Sequence, residues 1–168
     1  MSAGLEPVDI DARVRATLDA LGVPYEVHAI DPAFADTAQY CAHYGMPLEE
    51  SANTIVVASK KEPRQYAACV VKATTRLDVN HAVRRLLGAS KVSFATAEET
   101  AALTGMMIGG VTVFALPPTL PVYVCDRLMA LPRVILGGGS RSTKIHTSPE
   151  VFRRLPGATI VADLTTGA

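Results

Sequence analysis

The chain has 168 residues, 49% of them apolar and 19% charged, and its formal net charge is zero. That balance is globular rather than disordered, and it suits a single domain over residues 1–168 with one sizeable core. Zero net charge argues against a protein that grips a long stretch of DNA or RNA by its phosphates; a local basic patch, or recognition of one RNA end, stays open.

In chain order, Asp9 to Leu21 reads as a helix, with Val14, Leu18 and Leu21 at helical spacing and Gly22 as its stop. Pro24 leads into a strand over Tyr25 to Ala29. Thr37 to Tyr44 is a second helix, capped by Asp36 and ended by Gly45. Thr54 to Ala58 and Tyr66 to Val71 flank a polar turn and form a hairpin. Asp78 caps a helix through Leu87, which Gly88 ends. Val92 to Phe94 is a brief strand, and Thr96 with Glu99 makes a capping box for a helix closed by Gly105. Strands follow at Val111 to Leu116, Val122 to Cys125 and Arg133 to Leu136, with another at Ile145. Ser148-Pro149-Glu150 starts a helix, and Thr159 to Ala162 is the last strand. Many short strands interrupted by short helices predict an α+β fold: a mixed, barrel-like sheet with helices around it, not a doubly wound one.

Cys41, Cys69 and Cys125 are odd in number and widely spaced, with no CxxC pair. They read as buried free thiols in a reducing cytosol, and no zinc site or other metal is expected. The Met-Ser-Ala-Gly-Leu-Glu-Pro start shows no basic region before an apolar run, and no stretch reaches the ~20 apolar residues of a membrane span. A cytoplasmic protein without membrane contact is expected.

Two glycine-rich segments stand out. Gly109-Gly110 precedes an apolar run, and its backbone N–H groups are candidates to bind a carbonyl or an oxyanion; a bulge or tight turn without ligand is the other reading. Gly137-Gly138-Gly139-Ser140-Arg141-Ser142-Thr143-Lys144 combines glycines, hydroxyls and cations that can cradle a phosphate, or is a plain loop between strands. Neither segment is a P-loop or a dinucleotide fingerprint. There is no GxSxG elbow, and His28, His43, His81 and His146 lie in unrelated contexts. Nucleophilic catalysis by a side chain has no support.

An ordered set of short stretches resembles the YbaK / prolyl-tRNA-synthetase-associated editing-domain family. The set comprises Asn53-Thr54-Ile55-Val56-Val57, Arg76-Leu77-Asp78, Leu87 to Val92, Ala95 to Glu99, Thr104-Gly105, Gly109 to Thr112, Leu120 to Tyr123 and Gly138 to Arg141. It runs from about residue 10 to 163. The resemblance implies a deacylase that hydrolyses the ester of a mischarged tRNA carrying a small amino acid, without metal, cofactor or covalent enzyme nucleophile. The partner it implies is the 3′ end of an aminoacyl-tRNA, with an aminoacyl-tRNA synthetase as a further one.

The resemblance also places the site. Asn53 stands where the family has a signature lysine, and Thr112 and Val113 stand where the family's glycine loop has serine and proline. Asn53, Gly109, Gly110 and Lys144 become the candidate catalytic residues. Thr112, Gly138, Gly139, Ser140, Arg141 and Lys72 become the candidate substrate-binding ones. A pocket is expected between Asn53 and Gly109-Gly110, with Gly138 to Arg141 at its rim. Lys144 and Lys72 are each either a replacement for the missing cation or an ordinary surface lysine. Three functions stay open: the deacylase, a binding module that has lost hydrolysis, and a regulator acting through a partner protein.

Overall fold

Local capping sets the helices. In the computed structural model, which describes residues 9–167, the Asp9 carboxylate accepts from the Asp11 N–H and opens α1 (Ile10–Leu21). Gly22 closes it with φ 71°, a conformation glycine adopts without steric cost. The helix buries Val14 and Leu18, one turn apart. The second helix, α2 (Thr37–Tyr44), has the expected bounds, but Asp36 makes no capping bond. Its carboxylate pairs instead with Arg141 at 3.3 Å. The helix expected from Asp78 starts as a π-helical turn (Val79–Val83) and continues as α3 (Arg84–Leu87). In α4 (Ala97–Thr104), Thr96 and Glu99 form the capping box. The last helix is α5 (Glu150–Arg154).

The strands fall into three sheets among the described residues and do not close into a barrel. The largest is mixed. Its strands are β2 (Ala52–Ser59), β3 (Tyr66–Lys72), β5 (Val92–Phe94), β6 (Val122–Cys125) and β9 (Ala158–Val161), in the order β5-β2-β3-β6-β9. β5, β2 and β3 are antiparallel, and β6 and β9 run parallel to β3. β3 is buried along its length apart from its end residues, so it reads as a continuous apolar run instead of an alternating one. Two short strands escape sequence reading: β4 (Arg76–Leu77), which pairs with β10 (Thr165–Thr166).

The segment Val111 to Leu116 forms no strand. Val113 and Phe114 are fully packed in the core, which explains their apolar, β-prone character. Ala115 adopts φ 61°, and the prolines at 117 and 118 offer no N–H, so the run cannot join a ladder.

The third sheet positions the site. It is antiparallel, β1 (Tyr25–Ala29)-β8 (Thr143–Thr147)-β7 (Val134–Gly137). Side chains alternate across β8. Ile145 joins the main core with Leu136, its partner on β7. Lys144 and His146 point the other way, toward a second cluster that contains Tyr40 and Cys41 of α2 and Ile135 of β7. A helix therefore covers the polar face of a strand that would otherwise meet water.

Candidate active site

A pocket of about 310 Å³ opens where β2, the N-terminus of α2, β8 and the loop after α4 meet. Asn53, Thr54 and Ile55 form one wall, Ile108, Gly109 and Val111 another, and Asp36 and Thr37 a third. Lys144 and Gly137 close it, and with Thr37 and Ala52 they also line a smaller cavity of about 10 Å³ behind it. The pocket thus has a mouth, where Ile108 is 56% exposed, and an inner end at Lys144, which is 5% exposed. Expected partners Asn53 and Gly109 meet here, and Lys144 is no surface lysine.

Lys144 reaches this position through the register of its sheet. On β8 it lies between His28 of β1 and Gly137 of β7, and Gly137 brings no side chain to that face. The ammonium donates to the Gly109 carbonyl at 3.3 Å and sits 5.4 Å from the centroid of the Tyr40 ring. Among the described residues it has no carboxylate ion-pair partner. Burial pulls its pKa down to about 8; Cys41 and Asp36 pull the other way, and the Arg141 guanidinium adds to the lowering.

Tyr40 is wholly buried, and its hydroxyl bridges His28 Nδ1 and His146 Nε2, each at 2.8 Å. Burial pushes its pKa up to about 12, so the phenol keeps its proton. One proton serves one of the two rings, and the other imidazole must donate to the phenol oxygen. Burial, then the nearby Arg133 guanidinium, holds His146 below its ordinary pKa. This network, and the Thr37 hydroxyl donating to Asn53 Oδ1 at 2.6 Å, were missed from sequence. Thr37 and Tyr40 lie three apart on one helix, a spacing that presents both to one side and was the available signal. Thr54 Oγ1 is buried and has no hydrogen-bond partner among the described residues.

Other expected site residues lie elsewhere. The Gly110 N–H is committed to the Met107 carbonyl and its carbonyl to the Gly139 N–H, both at 2.8 Å, so Gly110 has no donor left for an oxyanion. The N–H groups of Gly109 and Val111 make no hydrogen bond among the described residues, and both residues line the pocket. Thr112 is fully buried, turned away from the pocket, with its N–H directed to Met106 Sδ. Gly138 and Gly139 pack against Thr143 and against Ile10 and Val14 of α1. Ser140 binds the Asp11 carboxylate through both N–H and hydroxyl at 2.8 Å. Arg141 supports the mouth from behind by donating to the carbonyls of Ile108 (2.6 Å) and Pro32 (3.0 Å). Lys72 pairs with Ala52 in register, one residue off Asn53, and so faces the opposite side of the hairpin; it does not line the pocket.

The cysteines are buried and free, and none lines the pocket; burial alone pushes the Cys69 thiol up to about 12. Among the described residues no group of three or more His, Cys, Asp or Glu is placed to hold a metal ion, and no helix is long and apolar enough to cross a membrane.

Comparison with solved structures finds close likeness in fold. One, described as a candidate trans-editing enzyme for prolyl tRNA synthetase, is 25% identical with a TM-score of 0.79, covering 96% of this chain and 99% of that one. The hypothetical protein APE2540 is 27% identical with a TM-score of 0.81, over 92% and 99% of the two chains. A scaffold used for epitope backbone grafting, 24% identical with a TM-score of 0.78 over 96% and 100%, shares the fold. No curated protein sequence matches. The model of the aminoacyl-tRNA editing domain matches residues 31–155, a span that contains β2, the Gly109 loop and β8, and the chain belongs to that family.

Proposed function

We propose that this chain is one free-standing editing module, a deacylase acting in trans in the cytoplasm on the 3′ end of a tRNA mischarged with a small amino acid. The observation that carries the reading is the pocket itself. Asn53, the Gly109 and Val111 backbone, whose N–H groups make no hydrogen bond among the described residues, and Lys144 line about 310 Å³ of space in a chain of the editing-domain family. Water attacks the ester carbonyl, the acyl carbon–oxygen bond to the ribose breaks, and the amino acid and a free 3′-terminal hydroxyl result. An aminoacyl ester is already activated, so positioning plus stabilisation of the developing oxyanion suffices. The Gly109 and Val111 N–H groups are the donors for that oxyanion. The Asn53 side chain, held through Oδ1 by Thr37, presents its amide N–H₂ to the substrate. Likeness to the candidate trans-editing enzyme supports a synthetase, that for proline, as the source of the mischarged tRNA.

The test is deacylation of a panel of mischarged tRNAs by the wild-type chain. Turnover of at least one of them, with loss in Asn53→Ala, supports the reading; intact esters across the panel overturn it. Asn53 itself favours a second reading, a module that binds the aminoacyl end without cleaving it, since asparagine brings no charge to a position where the family has lysine. Tight binding with no turnover in the same panel is the result that reading requires.

A further inference from the structure

We infer that Lys144 reads the amino-acid side chain of the substrate, so that the pocket favours a small side chain ending in an oxygen acceptor: carboxylate first, then hydroxyl, then methyl. The inference rests on the editing reading for the identity of the substrate. The first argument is direction. The RNA has to remain outside, at the mouth marked by exposed Ile108 and Asp36. With the ester along Asn53 and the Gly109-Val111 edge, the group that extends furthest from the RNA is the amino-acid side chain, and Lys144 stands at the inner end.

The second argument is chemical. The ammonium has three donors and one hydrogen-bond acceptor, the Gly109 carbonyl. The charged groups around it leave it uncompensated: Asp36 is held by Arg141, Arg141 is itself a cation, and His28 and His146 are committed to Tyr40. A carboxylate or hydroxyl pairs with the free donors of this ammonium and a methyl leaves them unpaired, the kind of mismatch that discriminates most strongly between substrates. Ala52, Ile55 and Val111 limit the size of what can enter.

The experiment charges one tRNA with aspartate, serine or alanine and compares kcat/KM for the wild type, Lys144→Met and Lys144→Gln. Affinity for the matching non-hydrolysable 3′-amide analogues is measured in parallel. The wild type is expected to prefer aspartyl over alanyl by about tenfold or more, with seryl between. Lys144→Met should erase that preference, with a loss at least about tenfold larger on the aspartyl substrate than on the alanyl one. Lys144→Gln, which keeps a donor without the charge, should lose the aspartyl preference and keep the seryl one. The aspartyl advantage should also fade as pH rises through about 8, where the ammonium deprotonates. An equal loss on all three substrates assigns Lys144 to the ester or the RNA and overturns the inference, as does a wild type that favours alanyl. The amide analogues separate the two failures. Tightest binding of the aspartyl analogue without hydrolysis of any ester sinks the deacylase and keeps this inference; equal binding of the three sinks this inference alone.

Discussion

The two glycine runs look alike in sequence and do opposite work. Gly109-Gly110 and Gly137-Gly138-Gly139 both offer exposed backbone to a ligand on paper. In the fold, Gly109 lines the pocket, while in the second run Gly137 borders the pocket but packs against the first run, Gly138 packs against Thr143 and Gly139 against α1. A Cβ on Gly110 would stand 2.5 Å from the Ser140 carbonyl oxygen, and one on Gly137 would stand 2.5 Å from the Val111 carbonyl oxygen. Glycine is needed there because two backbones touch, not because a phosphate approaches. A glycine run marks a place where something comes close to the main chain, and the main chain of another segment qualifies as readily as a ligand.

The largest expected effect breaks the contact between the runs. Gly110→Ala forces a Cβ into backbone atoms that cannot rotate away, and should cost about 3 kcal/mol by urea unfolding. Near-wild-type stability would mean that the runs are not packed on each other. Next comes the lysine between them. Burial lowers the folded-state pKa of Lys144 from 10.5 to about 8, so at neutral pH the folded chain carries a desolvated charge that the unfolded chain solvates. Lys144→Met should therefore be more stable than wild type by about 2 kcal/mol at pH 7. Between pH 8 and 10.5 the unfolded chain keeps the proton and the folded chain has lost it, so wild-type stability rises with pH and the advantage of methionine disappears. Lys60→Ala, in the exposed hairpin turn, should change stability by less than about 0.5 kcal/mol at any pH. A Lys144 variant that behaves like Lys60→Ala removes the buried-cation picture.

A smaller effect belongs to the support behind the mouth. Arg141 donates to the Ile108 and Pro32 carbonyls and pairs with Asp36, with its side chain 29% exposed. Arg141→Met should cost about 1 kcal/mol, the solvent-screened worth of such bonds, and raise KM more than it lowers kcat. A kcat effect at unchanged KM would move Arg141 from the frame into the chemistry.

What could be read from sequence divides along the same line. Features set by neighbours in the chain were legible: both ends of α1, the Thr96-Glu99 box, the hairpin and the stop at Gly105 follow from residues a few positions apart. The pocket wall at Asn53 and Gly109 was reached through the family resemblance. What failed depends on distant partners. Ser140 is explained by Asp11, 129 positions away, and nothing in Gly-Gly-Gly-Ser-Arg foretells it. Thr-Lys-Ile-His-Thr alternates as a half-exposed strand would, yet α2 covers its polar face, which turns a surface lysine into a buried one. Val111 to Leu116 has the composition of a strand because it is buried, and lacks the ladder that burial alone cannot supply.

The smallest expected effect concerns the position where the family keeps its lysine. Asn53→Lys restores the family residue, and a resemblance argument alone expects a gain. The pocket argues otherwise. Asn53 Oδ1 accepts the Thr37 hydroxyl, and lysine has no acceptor to replace it. The new ammonium would also share about 310 Å³ with Lys144, and like charges in a partly desolvated space each lower the other's pKa. One cation is gained as the other is weakened, so kcat/KM should stay within about threefold of wild type. The companion variant separates repulsion from simple loss of the Thr37 bond. In Asn53→Lys with Lys144→Asp, the cation moves to β2 and a carboxylate faces it from β8, which removes the repulsion while the Thr37 bond stays broken. If repulsion holds Asn53→Lys down, the double variant exceeds both single ones in deacylation, with a coupling well outside additivity. It should also lose any preference for an acidic side chain, since the inner end of the pocket is then negative. Additive single effects, or a large gain from Asn53→Lys alone, would show that the two positions do not share one substrate.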